Sequence, residues 1–264
     1  MTDPSTMLRI AESAVSAAER SFIHGLGADP HQIKERGDFA TKVDLEIEEK
    51  LRSSLSDQTG IPVYGEESGG DLNRDRVWIV DPIDGTANYA AGNPLCAILL
   101  SLLVEGQPMV AVTSIPMLGR RLSAHVSSPL YLNGRALKPL RDPDKMIAQI
   151  GFSSVASPLN SRYSSQVRQG LLADLAETYL RPRITGSVGV DLAFTAQGIF
   201  GGALSLSPNV WDNAAGVLLI RAAGGVVTGT EGEPWTMNSE GVIAGNAEAH
   251  KAIMGTMNKI LNQQ

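Results

Sequence analysis

The stretch W-I-V-D-P-I-D-G-T-A-N-Y, Trp78 to Tyr89, constrains this chain more than any other. Trp78, Ile79 and Val80 are apolar, β-favouring residues, and Pro82 has no N–H to give to a ladder, so the pattern predicts a buried strand that ends at Asp81. Asp84, Gly85 and Thr86 then predict a turn opening a new segment. Asp81 and Asp84 stand three positions apart with the Ile83 carbonyl between them, and a tight bend can aim all three oxygens at one point. Oxygen-only ligands suit a hard cation such as Mg2+. Asp84 also has the chemistry of an N-cap, which would turn the free N–H groups of Gly85 and Thr86 toward an anion at the positive end of a helix. A lone Asp-Pro or Asp-Gly is ordinary turn chemistry. Six such residues in a row behind a strand point instead to a place where metal and phosphate meet.

Composition narrows the class. At 264 residues with 43% hydrophobic content, the chain can bury one large core or two that share an interface. No apolar run approaches the roughly 20 residues that span a bilayer, and the N-terminus, with Asp3 and Glu12 and no early basic cluster, lacks a signal-peptide layout, so a cytoplasmic protein is expected. Cys96 is the one cysteine, which rules out an internal disulfide, and four scattered histidines offer no zinc site. A net charge of -6 without a Lys/Arg run argues against nucleic acid as the main ligand. An acidic protein that handles phosphate esters must recruit positive charge, and a metal supplies it.

Read in order, Leu8, Ala11, Val15, Ala18 and Phe22 mark a helix over 5–23, and Val43, Ile47, Leu51 and Leu55 a second one stopping at Gly60, with a polar connection from Lys34 to Asp44 between them. Ile61 to Tyr64 predicts a short strand delivering Gly65, Glu66 and Glu67. After the central motif, Ala97 to Val104 and Met109 to Ile115 predict a hairpin about Glu105-Gly106, and Arg120 to Val126 and Leu130 to Leu132 add strands before the turn signal Asn133-Gly134. This is an α+β pattern up to about residue 140, where Asp142-Pro143 marks a boundary. Strands and helices then alternate: strands at Ile147 to Phe152, Arg183 to Thr185, Ala203 to Leu206, Val226 to Thr228 and Val242 to Ala244, and helices at Ser161 to Tyr179, Val188 to Ile199, Asp212 to Ala223 and Ala247 to Leu261. That second half reads as α/β with a mixed sheet. The domain organisation expected is therefore 1–140 and 141–264.

D-P-I-D-G-T at Asp81 to Thr86, G-E-E at Gly65 to Glu67 and W-D at Trp211 and Asp212 resemble, in this order and at similar separations, the motifs of the inositol monophosphatase family of Mg2+-dependent, lithium-sensitive phosphatases. The resemblance spans nearly the whole chain. G-D-F-A-T-K-V-D at Gly37 to Asp44 and V-W-D-N-A-A-G-V at Val210 to Val217 are most similar to the actinobacterial inositol-1-monophosphatases. It implies a layered α-β-α-β-α sandwich of the sugar-phosphatase type, with most metal ligands in the first half and the site between the halves, and a homodimer. It assigns Glu66 to a metal, and gives Asp44, which alone reads as a helix-dipole partner, the task of supporting an outer metal position and a catalytic Thr86. Two or three Mg2+ ions are implied. Glu66, Asp81 and the Ile83 carbonyl would hold one, activating a water that Thr86 and Glu66 orient for in-line attack, and Asp81, Asp84 and Asp212 would hold a second against the phosphate. Asp212 also reads as the N-cap of its helix.

Other phosphatase chemistries lack their residues. A cysteine phosphatase needs Arg six positions after its nucleophile, where Cys96 has Leu102; the aspartates of the motif are three apart, not in the Asp-x-Asp of a phospho-aspartate enzyme; and no P-loop is present. The substrate side is less defined. Gly186 to Gly189 could admit backbone to a ligand, and Arg183 is as good a phosphate or hydroxyl contact as it is a surface arginine. Many family members carry a Glu seven residues before the W-D aspartate, contacting an inositol hydroxyl; here that position is Ser205. Asp191 is a possible compensator. The expected substrate is inositol 1-phosphate alongside other small polyol or sugar phosphates; histidinol phosphate, fructose 1,6-bisphosphate and 3'-phosphoadenosine 5'-phosphate are the alternatives within the family, and a regulatory binding role in transcription is the alternative outside catalysis.

Overall fold

The computed structural model describes residues 3–35, 38–141, 148–156 and 161–262. The first half contains α1 (Pro4–Gly25), β1 (Pro30–Glu35), β2 (Asp38–Thr41), α2 (Lys42–Thr59), β3 (Val63–Gly65), β4 (Arg76–Asp84), α3 (Thr86–Ala90), β5 (Ala97–Val104), β6 (Gln107–Ile115), β7 (Arg120–His125), β8 (Tyr131–Leu132) and β9 (Arg135–Ala136). The second contains β10 (Gln149–Phe152), α4 (Ser165–Glu177), β11 (Arg181–Arg183), α5 (Val188–Ala196), β12 (Gly202–Ser205), α6 (Val210–Ala222), β13 (Val226–Thr228), β14 (Val242–Gly245) and α7 (Ala247–Leu261). The expected Asp142-Pro143 turn, Ile147 and Gly37 lie outside the described residues.

These elements stack in five layers, α-β-α-β-α. A seven-stranded sheet in the order β3-β4-β5-β6-β7-β8-β9 and a five-stranded sheet in the order β11-β10-β12-β14-β13 are the two β layers. On the outer side of the larger sheet, Leu8, Ala11, Val15, Ala18 and Phe22 of α1 and Ile47, Leu51 and Leu55 of α2 pack on Trp78, Val80, Leu100 and Val112. Its other face presents Ile79, Leu99 and Ala111 to Leu192 of α5 and Val217 and Leu219 of α6, which also meet Ala203 and Ala244 of the smaller sheet. The far face of that sheet carries Ile150, Phe152 and Ile243 against Leu171 and Leu175 of α4 and Ile253 and Met257 of α7. Burial of apolar area on both faces of both sheets is why their strands read as continuous apolar runs.

Local chemistry sets the ends of the elements. Asp3 caps α1 by accepting from the Ser5 and Thr6 N–H groups, and Gly60 ends α2 in a left-handed conformation at φ 67°. Glu105-Gly106 and Asn133-Gly134 turn at positive φ throughout, 51° and 73° and then 49° and 76°, as tight hairpins require.

Four expectations are corrected. The expected polar connection from Lys34 to Asp44 is not plain: residues 30–35 and 38–41 pair antiparallel, β1 on β2, as a two-stranded sheet of their own with little apolar alternation to announce it. Pro82 does not end the strand. Asp81 pairs opposite Leu99 and Asp84 opposite Ala97, so three steps on β4 match two on β5, and the missing N–H of Pro82 falls inside this bulge where the ladder is already interrupted. Asp84 is the last residue of β4 rather than the cap of α3, which starts from Gly85 at φ 83°. Asp212 is the third residue of α6, whose cap position belongs to Asn209.

Candidate active site

Strand side chains alternate between faces, so residues three apart on a regular strand point to opposite sides. The extra residue of the β4 bulge cancels that alternation and turns Asp81 and Asp84 to the same side. Asp212 comes to meet them from the first turn of α6, and carboxylate oxygens of Asp81, Asp84 and Asp212 lie within 4.8 Å of one another. They stand at a cavity of about 490 Å3 between the halves, lined from the first half by Glu66, Asp81, Ile83, Asp84, Gly85, Thr86 and Phe39 and from the second by Ser153, Arg168, Ile184, Ser187, Ser207, Asn209 and Asp212 among others.

Neighbouring groups hold each carboxylate. Asp84 caps a helix after all, although a distant one: Ser187 Oγ donates to Asp84 Oδ2, Gly189 N–H donates to the same oxygen at 2.8 Å, and Val188 N–H donates to Oδ1 at 3.2 Å, all at the start of α5. Gly189 has no room for a side chain there, since a Cβ would lie 2.4 Å from Leu99 Cδ2. Ile83 N–H donates to Asp81 Oδ1 at 3.1 Å. Ser207 Oγ donates to Asp212 Oδ2, and Trp211 stacks on Tyr64 at 5.9 Å between centroids, tying α6 to the strand that leads to Glu66. Lys34 of β1 reaches over Glu66 and Glu67, with Nζ 2.9 Å and 2.7 Å from their Oε1 atoms.

Beneath this wall lies α2. The Thr41 N–H and hydroxyl donate to Asp44 Oδ2 at 2.8 Å and 2.6 Å, a capping box that leaves Asp44 Oδ1 3.5 Å from the Thr86 hydroxyl. That hydroxyl donates to the Ile83 carbonyl at 3.0 Å. Asp44, Thr86 and the Ile83 oxygen therefore form one connected line.

The electrostatics are those of a site short of positive charge. Burial raises the Asp81 carboxyl well above the ordinary range, and the charges of Glu66, Asp84 and Asp212 raise it further. Asp212 is raised well above that range by burial, then by Asp84 and Glu66. Burial pushes Asp84 up to about 6 against the pull of Ser187 and the α5 amides, and Asp44 up to about 6 against Thr41. A divalent cation fits this set: the donors are all oxygens, and their crowding is relieved by charge of the opposite sign. Asp81, Asp84 and Asp212 are close enough together to share it, and Glu66 and Ile83 line the same cavity.

Four of the residues expected on the substrate side do not line the cavity. Arg183 is exposed on the edge strand β11, and its Nη1 donates to the Arg181 and Pro182 carbonyls. Asp191 is buried, accepts from Thr185 Oγ1 at 2.8 Å and packs so tightly on Gly151 that a Cβ there would lie 2.5 Å from its own. Gly189 serves Asp84 from behind, and Ser205 is buried on β12 with its Oγ accepting from the Ser207 N–H at 3.3 Å. In their place stand residues the sequence reading passed over. Ser187 and Asn209 are detectable as polar residues one position ahead of apolar helices. Arg168, a charge beside the Val167, Leu171, Leu175 stripe of α4, is buried and donates to the Tyr163, Ser154 and Leu206 carbonyls and to Ser161 Oγ. Lys34 sits in the hairpin that had no signal.

The family model for the inositol monophosphatase family matches residues 3–263. Over 256 residues the chain is 43% identical to the inositol-1-monophosphatase ImpA of Mycolicibacterium smegmatis, covering 96% of this chain and 93% of that protein. It is 33% identical over 232 residues to the Nus factor SuhB of Escherichia coli, covering 85% and 84%. Among solved structures, the extragenic suppressor protein suhB from Bartonella henselae superposes with a TM-score of 0.86 at 25% identity, over 96% of this chain and 99% of that one. The matched span takes in both sheets and all three motifs that converge on the cavity, and the chain belongs to the inositol monophosphatase family, whose members depend on a metal.

Proposed function

We propose that this protein hydrolyses small phosphate monoesters with Mg2+, inositol 1-phosphate first among them, at the cavity between its halves. One observation carries the reading: three carboxylates from two halves of the chain meet within 4.8 Å beside Thr86 and the uncapped first turn of α3. Buried carboxylates this close repel one another, and a fold that only binds a partner has no need of them.

Glu66, Asp81 and the Ile83 carbonyl would hold one ion and Asp81, Asp84 and Asp212 a second, with a third position near Asp44. When bound, these ions neutralise phosphate charge and lower the pKa of a water. The chain supplies the rest. Thr86 and Glu66 orient the attacking water, with Asp44 fixing the Thr86 hydroxyl. Gly85, Thr86 and Ala87 offer their N–H groups to the phosphate, Asp212 faces the departing oxygen, and attack is in line with no covalent enzyme intermediate. The rest of the leaving group would rest against Ser153, Ser207, Asn209 and Arg168. Apart from Glu66, Asp81, Asp84 and Asp212, no carboxylate lines the cavity among the described residues. A substrate wall without its own acceptor carboxylate supports acceptance of several polyol and sugar phosphates.

Lithium inhibition and a homodimer complete the reading, both by likeness to the family, and no helix among the described residues is long and apolar enough to cross a membrane. Phosphate release from inositol 1-phosphate, glycerol 2-phosphate, histidinol phosphate, fructose 1,6-bisphosphate and 3'-phosphoadenosine 5'-phosphate, with and without Li+, tests it. Inositol 1-phosphate should be turned over fastest and Li+ should inhibit; no release from any ester would favour the alternative of a regulatory binding role in transcription.

A further inference from the structure

The core of α2 holds a second carboxylate that the chemistry above does not use. Glu48 lies one helical turn after Asp44 on the same face, is 1% exposed, and sits between the buried Ile47 and Leu51. Its Oε2 accepts from the Glu67 N–H at 2.8 Å and its Oε1 from the Ser68 N–H at 2.9 Å, the two amides that follow Glu66. Arg52, one more turn along, reaches Glu48 Oε1 at 3.1 Å and also donates to the Val63 and Gly69 carbonyls at 2.6 Å and 2.9 Å, on either side of the same turn. Gly65 closes the arrangement: a Cβ on it would lie 2.2 Å from Glu48 Cδ, so the carboxyl occupies the space a side chain would take. A carboxylate in an apolar layer is costly unless its oxygens are satisfied, and here they are spent on the one turn that projects Glu66 into the cavity.

We infer that Glu48 is the positioning residue for Glu66: its carboxylate holds the Glu67 and Ser68 amides and thereby fixes the backbone from which Glu66 is aimed at the metal site. Asp44 and Glu48 then divide one face of α2 between the two loops of the site, Asp44 supporting Thr86 and Glu48 supporting Glu66. The inference rests on Glu66 being a metal ligand.

The test is a Mg2+ titration of melting temperature without substrate, alongside kcat and KM, for wild type, Glu48→Gln, Glu66→Gln and the double variant. A glutamine keeps one acceptor oxygen but turns an NH2 toward the second amide. Glu48→Gln should raise the Mg2+ half-saturation of the melting shift by about tenfold or more, the scale expected when a group orienting a metal ligand is lost. It should lower kcat more than it changes KM, and add little in the Glu66→Gln background. If Glu48→Gln does not fold, Glu48→Asp, which keeps the charge and withdraws it by one methylene, should shift half-saturation in the same direction. A lowered melting temperature in chelator with unchanged half-saturation would make Glu48 a core residue only and overturn the inference. A wild type without any Mg2+-dependent shift would overturn the metal reading and this inference with it.

Discussion

The two walls of the cavity are built on different principles. The first-half wall is over-determined: Asp84 accepts three donors from the start of α5, Asp44 closes a capping box under Thr86, and Glu48 takes the amides behind Glu66. The second-half wall facing it adds Asp212 to the carboxylate cluster and otherwise presents Ser153 and Ser207 beyond the ends of β10 and β12 and Asn209 ahead of α6, with Arg168 braced by backbone carbonyls and Ile184 exposed at the rim. One wall fixes charges for chemistry that does not vary; the other presents short polar groups that different leaving alcohols can share. Changes on the first, and on Asp212, which joins its carboxylate cluster from α6, should therefore abolish turnover, and changes among the short polar groups of the second should redistribute it among substrates.

The largest effect is expected from Asp81→Asn and Asp212→Asn, each lowering kcat/KM by at least about a hundredfold with the fold intact by circular dichroism, the scale of losing charge stabilisation in a transition state. A folded variant that keeps most of its activity would remove that residue from the site. Thr86→Ala comes next, with kcat down by roughly a hundredfold, as for a lost group that positions the attacking water, and KM much less affected. Equal changes in both would make Thr86 a phosphate-binding group instead.

A third prediction concerns stability. Burial lifts Asp44 and Asp84 to about 6 and holds Asp81 and Asp212 well above the ordinary range, so the folded protein binds these protons more tightly than the unfolded chain does. Their contribution to stability is present below the unfolded carboxylate pKa of about 3.9 and is lost as pH rises through the folded values. In chelator, the melting temperature should show this loss between about pH 4 and neutrality, and Mg2+ should restore more at pH 8 than at pH 5. A Mg2+ effect that does not grow with pH would break the link between the crowded carboxylates and the cation.

On the opposite wall, Asn209→Ala should change the kcat/KM ratio of inositol 1-phosphate to glycerol 2-phosphate by about fivefold, the worth of one hydrogen bond. An unchanged ratio would take Asn209 out of substrate selection. Arg183→Ala, on an exposed edge, should alter kcat/KM by less than about twofold.

The same contrast explains what the sequence disclosed. Asp81, Asp84 and Thr86 were legible because carboxylates beside Pro and Gly at a strand end have few purely structural uses in combination, and Asp212 through the resemblance carried by Trp211 and Asp212. The strand and helix order was legible from apolar runs and turn residues. The β4 bulge was not, because a proline in a strand pattern reads as a stop, and only the pairing with Leu99 and Ala97 shows the strand continuing. The cap that Asp84 provides to α5 was hidden for a related reason: its partners lie 103 to 105 residues away. Glu48 carried a signal of its own, a charge on the stripe shared by Leu51 and Leu55. Arg183, Asp191 and Ser205 were chosen for their chemistry near a motif, and the register of β11, α5 and β12 decides otherwise where their side chains lie.

The most direct test of the central claim, that a cation held by the Asp81, Asp84, Asp212 cluster carries the hydrolysis, is phosphate release from inositol 1-phosphate by metal-depleted protein as Mg2+ is added back. Release should be absent in chelator, saturate with Mg2+ in the wild type, and stay at least about a hundredfold lower in Asp212→Asn at every Mg2+ concentration. Full release in chelator, or a Mg2+ dependence in Asp212→Asn matching the wild type, would contradict it.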